Sequence, residues 1–157
     1  MKMDTFLQDY LERLQALHHE VAKTIVGLPQ PALDWTPAPD SNSMAVLVVH
    51  LAGAERYWIG DVGLGQPSGR ERAAEFLVSG ISTEQLLARL EAASAYACSA
   101  LQDLKLVNLA EQRVSPRDGR LLSTGWALMY ALEHTAIHLG HIQLTRQLWE
   151  NAPSPPL

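Results

Sequence analysis

From Gly125 to Trp149 the chain has no proline and only one further glycine, Gly140, and within this run stands EHTAIHLGH, Glu133 to His141. The run predicts one long helix, and it holds three of the protein's six histidines. At about 100° per residue, His134, His138 and His141 fall within roughly 60° of one another, in line with Tyr130, Leu144, Thr145 and Leu148. That alignment predicts an inward-facing row. A core that takes in imidazoles has to give each a partner, because burying an unpaired polar group is costly.

Neutral imidazoles four residues apart project side by side and can grip one metal ion. Residues seven apart are separated by about 10.5 Å along the axis, too far for His134 and His141 to share an ion whose Zn–N bonds are about 2.0–2.1 Å. The half-site is therefore an adjacent pair, either His134 with His138 or His138 with His141. The outside candidate is His50, in the apolar run MAVLVVHLAGAERYWIG from Met44 to Gly60. Flanked by Leu47, Val48, Val49 and Leu51, it is carried inside. There it needs a metal ion or a hydrogen bond to a carbonyl, carboxylate or hydroxyl, and residue chemistry alone leaves both open.

The first helix is expected from about Asp4 to Val26, with Leu7, Leu11, Leu14, Val21 and Ile25 as its apolar stripe and Gly27, Leu28 and Pro29 as its stop. His18 lies on this stripe, as an imidazole at the core's edge or a group supporting the metal site; His19 points away. The four prolines between Pro29 and Ser43 predict a long non-helical connection, with Trp35 plugging one end of the core. Helix two opens at Asn42 or Ser43 and ends near Gly60 to Gly65, its Tyr57 and Trp58 read mainly as packing. The glycines from Gly60 to Gly69 read as a loop, since they match no phosphate-binding motif, and a short helical turn is expected at Arg70 to Leu77.

Ser82 and Gln85 form a capping-box signature, with Ile81 and Leu86 as a hydrophobic staple. Leu86, Leu90, Ala93, Ala97, Leu101 and Leu104 follow as the buried face of helix three. Asp118-Gly119 signals a turn joining a small β-ribbon, and Ser123 or Thr124 caps helix four. The expected architecture is an all-α four-helix bundle, residues 1–150 as a single domain and 151–157 as a disordered proline-rich tail. Metal sites in bundles are built from side chains on facing helices.

A net charge of −5 and scattered Lys and Arg argue against a nucleic-acid surface. The polar, acidic amino terminus lacks a signal-peptide pattern, and no apolar stretch approaches the about 18 residues of a membrane span. A cytoplasmic protein with neither nucleic-acid nor membrane partners is expected. The lone Cys98, in alanine-rich surroundings, reads as a small buried residue.

SMAVLVVHLAGAERYWIG, followed after a long interval by LEHTAIHLGHIQL, resembles the DinB-like superfamily. The resemblance covers nearly the whole chain in helix order and length. It implies up-down-down-up connectivity with long connections between helices one and two and helices two and three. It also implies a divalent metal site of His50, His134 and His138, and a homodimer. His141 departs from the glutamine usual at that position, which implies a supporting or substrate-facing role shared with His18, Tyr57 and Tyr130. The Trp and Gly-Asp after helix two, with the Gly-Gln-Pro loop, resemble the branch related to thiol-dependent S-transferases and mycothiol-dependent isomerases. That implies a small-molecule substrate, Zn or Ni ahead of Fe or Mn, and a low-molecular-weight thiol as cosubstrate. The alternative is a non-enzymatic metal-binding or stress-associated protein of the same fold. Cys98 is single and lacks a basic partner, so it is not taken as the nucleophile; Glu55 and Glu133, read as surface groups, receive no catalytic role.

Overall fold

Four long helical elements make up most of the computed structural model, which describes residues 3–152. Helix α1 is Thr5–Ile25, α3 is Met44–Arg56, α5 is Thr83–Leu101 and α6 is Thr124–Glu150; the short helices α2 and α4 are Gln30–Asp34 and Arg72–Glu75. Residues Tyr57–Leu64 continue α3 as a π-helix, and Leu106–Ala110 form a 3-10 turn. Strands β1, Gln112–Val114, and β2, Leu121–Ser123, pair antiparallel with Arg113 opposite Leu122. The proposed tail lies largely outside the described residues. No helix among the described residues is long and apolar enough to cross a membrane.

The helix starts follow from their caps. Asp4 accepts from the backbone N–H of Phe6, Ser43 from Val46 and Ser123 from Trp126. Ser82 and Gln85 form the reciprocal capping box, satisfying two amide donors that a helix start leaves free. The proline-rich connection departs from the expected irregular chain: Pro31 falls in the first turn of α2, where the absence of an N–H is harmless. The predicted Gly60 loop begins later than expected, because Gly60 to Leu64 lie in the π-helical turn.

Helices α1 and α3 each pack against both α5 and α6. This sets α1 diagonally opposite α3, and α5 opposite α6, an arrangement reached through long connections. Helix α3 is apolar all round and buried from Met44 to Leu51, as a central helix should be. The core divides into two apolar clusters along the bundle. One gathers Val21, Ile25, Leu47, Leu51, Leu86, Leu90, Leu139, Ile142 and Trp149, and the other gathers Leu7, Leu14, Ile59, Leu101, Ala127 and Leu128. Trp35 meets Trp149 edge-on at 5.8 Å, closing the first cluster as the sequence suggested. Between the two clusters in sequence stand His18 on α1 and His134, Thr135 and His138 on α6, whereas on α3 His50 falls within the first cluster's stretch and Glu55 within the second's.

Replacing Ser82 with alanine removes one partner of the capping box. The expected cost is about 1 kcal/mol, a melting temperature lower by about 2–4 °C, with aspartate at the same position retaining most of the stability.

Candidate metal centre

His50 comes from the middle of buried α3 and is 5% exposed, whereas His134 and His138 lie one turn apart on α6 and are half-buried. One ligand atom from each of these histidines lies within 4.8 Å of the others, a set that could hold a metal ion. The Nε2 atoms of His134 and His138 face each other at 3.2 Å. That separation is close to the about 3.3 Å edge of a tetrahedron built on Zn–N bonds of 2.0–2.1 Å. The donor set therefore fits a divalent ion of intermediate softness.

A carboxylate accepts hydrogen bonds only, so the 2.8 Å contact between His50 Nδ1 and Glu75 Oε2 is donation from the ring N–H. The tautomer leaves the Nε2 lone pair free. Arg70 also holds Glu75, with Nε to Oε1 at 2.6 Å and Nη2 to Oε2 at 2.7 Å. Phe76 lies against the His50 ring at 4.7 Å between centroids. Gly53, one turn after His50, makes room for this arrangement: a Cβ there would collide with the Glu75 carboxylate and come within 3.4 Å of Arg70 Nε.

Burial pushes the His134 pKa down to about 3, helped by His138, His50, Arg70 and Arg72, and lowers His138 to about 4, with His50 and His141 adding repulsion. Burial also lowers His50, against the opposing pull of its Glu75 hydrogen bond. The pair on α6 is therefore kept neutral and available as nitrogen donors.

The sequence profile of mycothiol-S-transferases matches residues 7–151. This chain belongs to the mycothiol-S-transferase family. This family match, together with the fold shared with a protein described as DinB-like, supports the resemblance read from the histidine-bearing segments. A conserved protein of Enterococcus faecalis superposes with a TM-score of 0.74 at 19% identity, over 94% of this chain and 98% of that one. A DinB-like protein of Bacillus subtilis superposes with a TM-score of 0.67 at 18% identity, over 98% of this chain and 96% of that one. At those identities the likeness shows the fold. Among curated proteins none matches significantly.

In this mycothiol-S-transferase family member, His141 is exposed and its Nδ1 lies 3.4 Å from that of His138. Tyr130 stands 6.0 Å from His134 and stacks on Trp126 at 5.1 Å. The histidine row does not sit on the most buried line of α6. That line is Ala127, Leu128, Ala131, Thr135, Leu139 and Ile142, while Leu144 and Leu148, expected inward, are 53% and 43% exposed. The helix presents its center to α1 and α3 together, leaving the histidines at the edge of the packed face.

His18 lies outside the candidate metal group. Its Nε2 donates to Glu55 Oε2 at 2.7 Å, and Thr135 Oγ1 reaches the same oxygen at 3.5 Å. Glu55, read as a surface group, is 2% exposed. The other Glu55 oxygen and His18 Nδ1 are buried without partners among the described residues. Tyr10, whose phenol donates to Leu128 O at 3.1 Å, is shifted strongly upward by burial and by Glu55. Cys98 is half-buried and accepts from Gln15 Nε2 at 3.2 Å.

Sequence reasoning missed Glu75, Arg70 and Phe76. The available signal was chemical: a buried imidazole needs an outer partner, and Glu75 lies within the helical turn already expected after the glycine-rich stretch.

The lowered pKa values imply acid sensitivity of the metal-free protein. His134 and His138 start near 6.5 when unfolded and fall to about 3 and about 4 when folded, so the unfolded chain binds more protons between those limits. Their contribution is complete above about pH 6.5 and is lost as the pH drops through this window. Urea unfolding of chelator-treated protein and its His134→Asn/His138→Asn variant should show a stability difference that shifts against the parent on acidification. A difference flat from pH 7.5 to 4 would contradict the assignment.

Proposed function

We propose that this protein is a metal-dependent transferase of a low-molecular-weight thiol, with His50, His134 and His138 holding one divalent ion. The observation that carries this reading is the convergence of three imidazoles, one anchored by Glu75, in a mycothiol-S-transferase family member. Zn or Ni suits this donor set ahead of Fe or Mn. When bound at three protein ligands, such an ion supplies an open position and a charge that favours a thiolate over a thiol.

The chain's own residues prepare that chemistry. Glu75 fixes the His50 ring and tautomer, which strengthens the ligand's basicity. Arg70 holds Glu75 in place with two hydrogen bonds. Half-buried Trp126 and Tyr130, with Trp58 at 4.5 Å from Tyr130, build an aromatic wall leading to His134 and suited to the apolar part of a substrate. His141 stands at the open edge beside His138 and is placed to contact an incoming small molecule.

The diagonal packing of helices joined by long connections supports the up-down-down-up bundle, proposed as one domain over residues 1–150. Ile137, Leu144 and Leu148 are 51%, 53% and 43% exposed on α6, which supports a homodimer through this helix. A cytoplasmic setting fits dependence on a reduced thiol.

Untagged protein should contain about one divalent ion per chain by elemental analysis. His50→Ala or His138→Ala should lose most of it, and unchanged metal content would sink the site. Glu75→Gln and Gly53→Ala act on His50 from outside and should weaken metal affinity by about 10–100-fold, read by competition with a chromophoric chelator.

The loaded protein, incubated with mycothiol, bacillithiol, glutathione or coenzyme A and a reactive electrophile, should form a thioether adduct detectable by mass spectrometry. Formation should cease on metal removal and return on reloading. Metal binding without adducts across this panel would favour a binding protein.

A further inference from the structure

The half-buried histidines of α6 face each other through Nε2 at 3.2 Å. For both of these nitrogens to offer lone pairs to one ion, neither can carry a proton, and a neutral imidazole then carries it on Nδ1. The ring proton of His138 is thereby placed on its other nitrogen. That N–H needs an acceptor, because it is the hydrogen bond at the second nitrogen that fixes which nitrogen of a ligating imidazole is free and how the ring is turned.

His141 supplies one. It follows His138 by three residues on α6, which makes the two side chains neighbours on the helix surface, and its Nδ1 lies 3.4 Å from Nδ1 of His138. The rings are inclined at 68° with centroids 5.4 Å apart, so the close approach is between ring nitrogens and not between stacked faces. Two imidazole nitrogens in contact share one proton, one donating and the other accepting. With His138 donating from Nδ1, His141 accepts there and carries its own proton on Nε2.

The surroundings suit this role. Among the described residues, His134 and His141 are the hydrogen-bonding neighbours of the His138 ring, and no carboxylate competes with them. His141 lines a groove of about 200 Å³ with Pro37, Ser41, Asn42 and Leu144, which gives its ring neighbours on the side away from His138. The residue is exposed, so its Nε2–H reaches water and no polar group is stranded. His50 shows the same device in stronger form, its Nδ1–H donating to Glu75 at 2.8 Å. A longer bond to a neutral ring is weaker than one to a carboxylate, so the hold on His138 is the lighter of the two.

We propose that His141 is a positioning residue of the candidate metal centre: it accepts a hydrogen bond from His138 Nδ1 and so fixes the ring orientation and tautomer that present His138 Nε2 as a ligand. The inference rests on the metal part of the function proposed above and is independent of the thiol. It also sets what His141 offers at the open edge. A small molecule arriving there meets an N–H donor at Nε2, not a lone pair.

The test uses the full chain, untagged, with zinc as the probe, and compares the parent with H141Q and H141L. Glutamine keeps an acceptor oxygen at this position, whereas leucine keeps none. Competition with a chromophoric chelator should show zinc affinity about tenfold weaker in H141L, the lower end for loss of an outer partner, with H141Q recovering most of it. Nitrogen-15 spectra of the zinc-loaded parent should show His138 protonated at Nδ1 and His141 at Nε2. Urea unfolding of the metal-free proteins should find H141L and H141Q alike, which separates a hold on the ligand from general stability. Zinc affinity in H141L equal to the parent's, H141Q no tighter than H141L, or an affinity loss matched by an equal loss of metal-free stability overturns the proposal and leaves the metal reading intact. So does His138 protonated at Nε2 in the loaded parent. A parent that binds no zinc overturns the metal reading, and the proposal falls with it.

Discussion

The hydrogen bond from His50 to Glu75 is where the fold and the candidate chemistry meet. An imidazole in the buried stretch of α3 needs a polar partner, and a buried carboxylate needs cationic or hydrogen-bonding company. Glu75 supplies the first need, while Arg70 and His50 together supply the second. Gly53 permits the approach by offering no side chain. Helix α3 and the segment carrying Arg70 and Glu75 are thereby fixed against one another, and His50 is left with a single usable lone pair. Removing Glu75 would also leave Arg70, whose side chain is 11% exposed, without its counter-charge.

A second carboxylate–imidazole pair, Glu55 with His18, lies on a different face of α3 and connects to α6 through Thr135. Both pairs are buried within the bundle. Polar groups placed there are costly individually, yet within a connected network they define which helix faces must meet. The neighbouring His134 and His138 differ in kind: among the described residues no carboxylate contacts them, and burial keeps them neutral. The candidate metal group thus joins one imidazole tied to an anion, His50, with two that are not.

Helix starts were legible because a capping residue and its partner are close in sequence, as Ser82 and Gln85 show. The two histidine-bearing segments were legible too, the α6 row through periodicity, and the three histidines that the structure brings together are the ones the family likeness implied. Glu75 was not, because a four-residue helix carries no periodic signal and its contact with His50 spans 25 positions. Glu55 looked like a surface group at the charged end of α3. Its burial follows from His18 on another helix, a pairing that no local pattern encodes. The orientation of α6 was displaced for the same reason, since packing against two neighbouring helices selects the buried line.

The π-helical turn from Tyr57 to Leu64 also partitions the chain. Its wider turn accommodates an extra residue relative to an α-helix, and the Gly63 carbonyl accepts from Thr124 Oγ1 at 2.7 Å and Arg113 Nε at 3.1 Å. The facing of His50 is set upstream, by packing in α3, whereas the chain downstream takes its direction from these anchors. A lineage of such proteins can therefore lengthen, shorten or redirect the segment after the turn without rotating the histidine. The segment after the turn is free to diversify while the histidines stay in register.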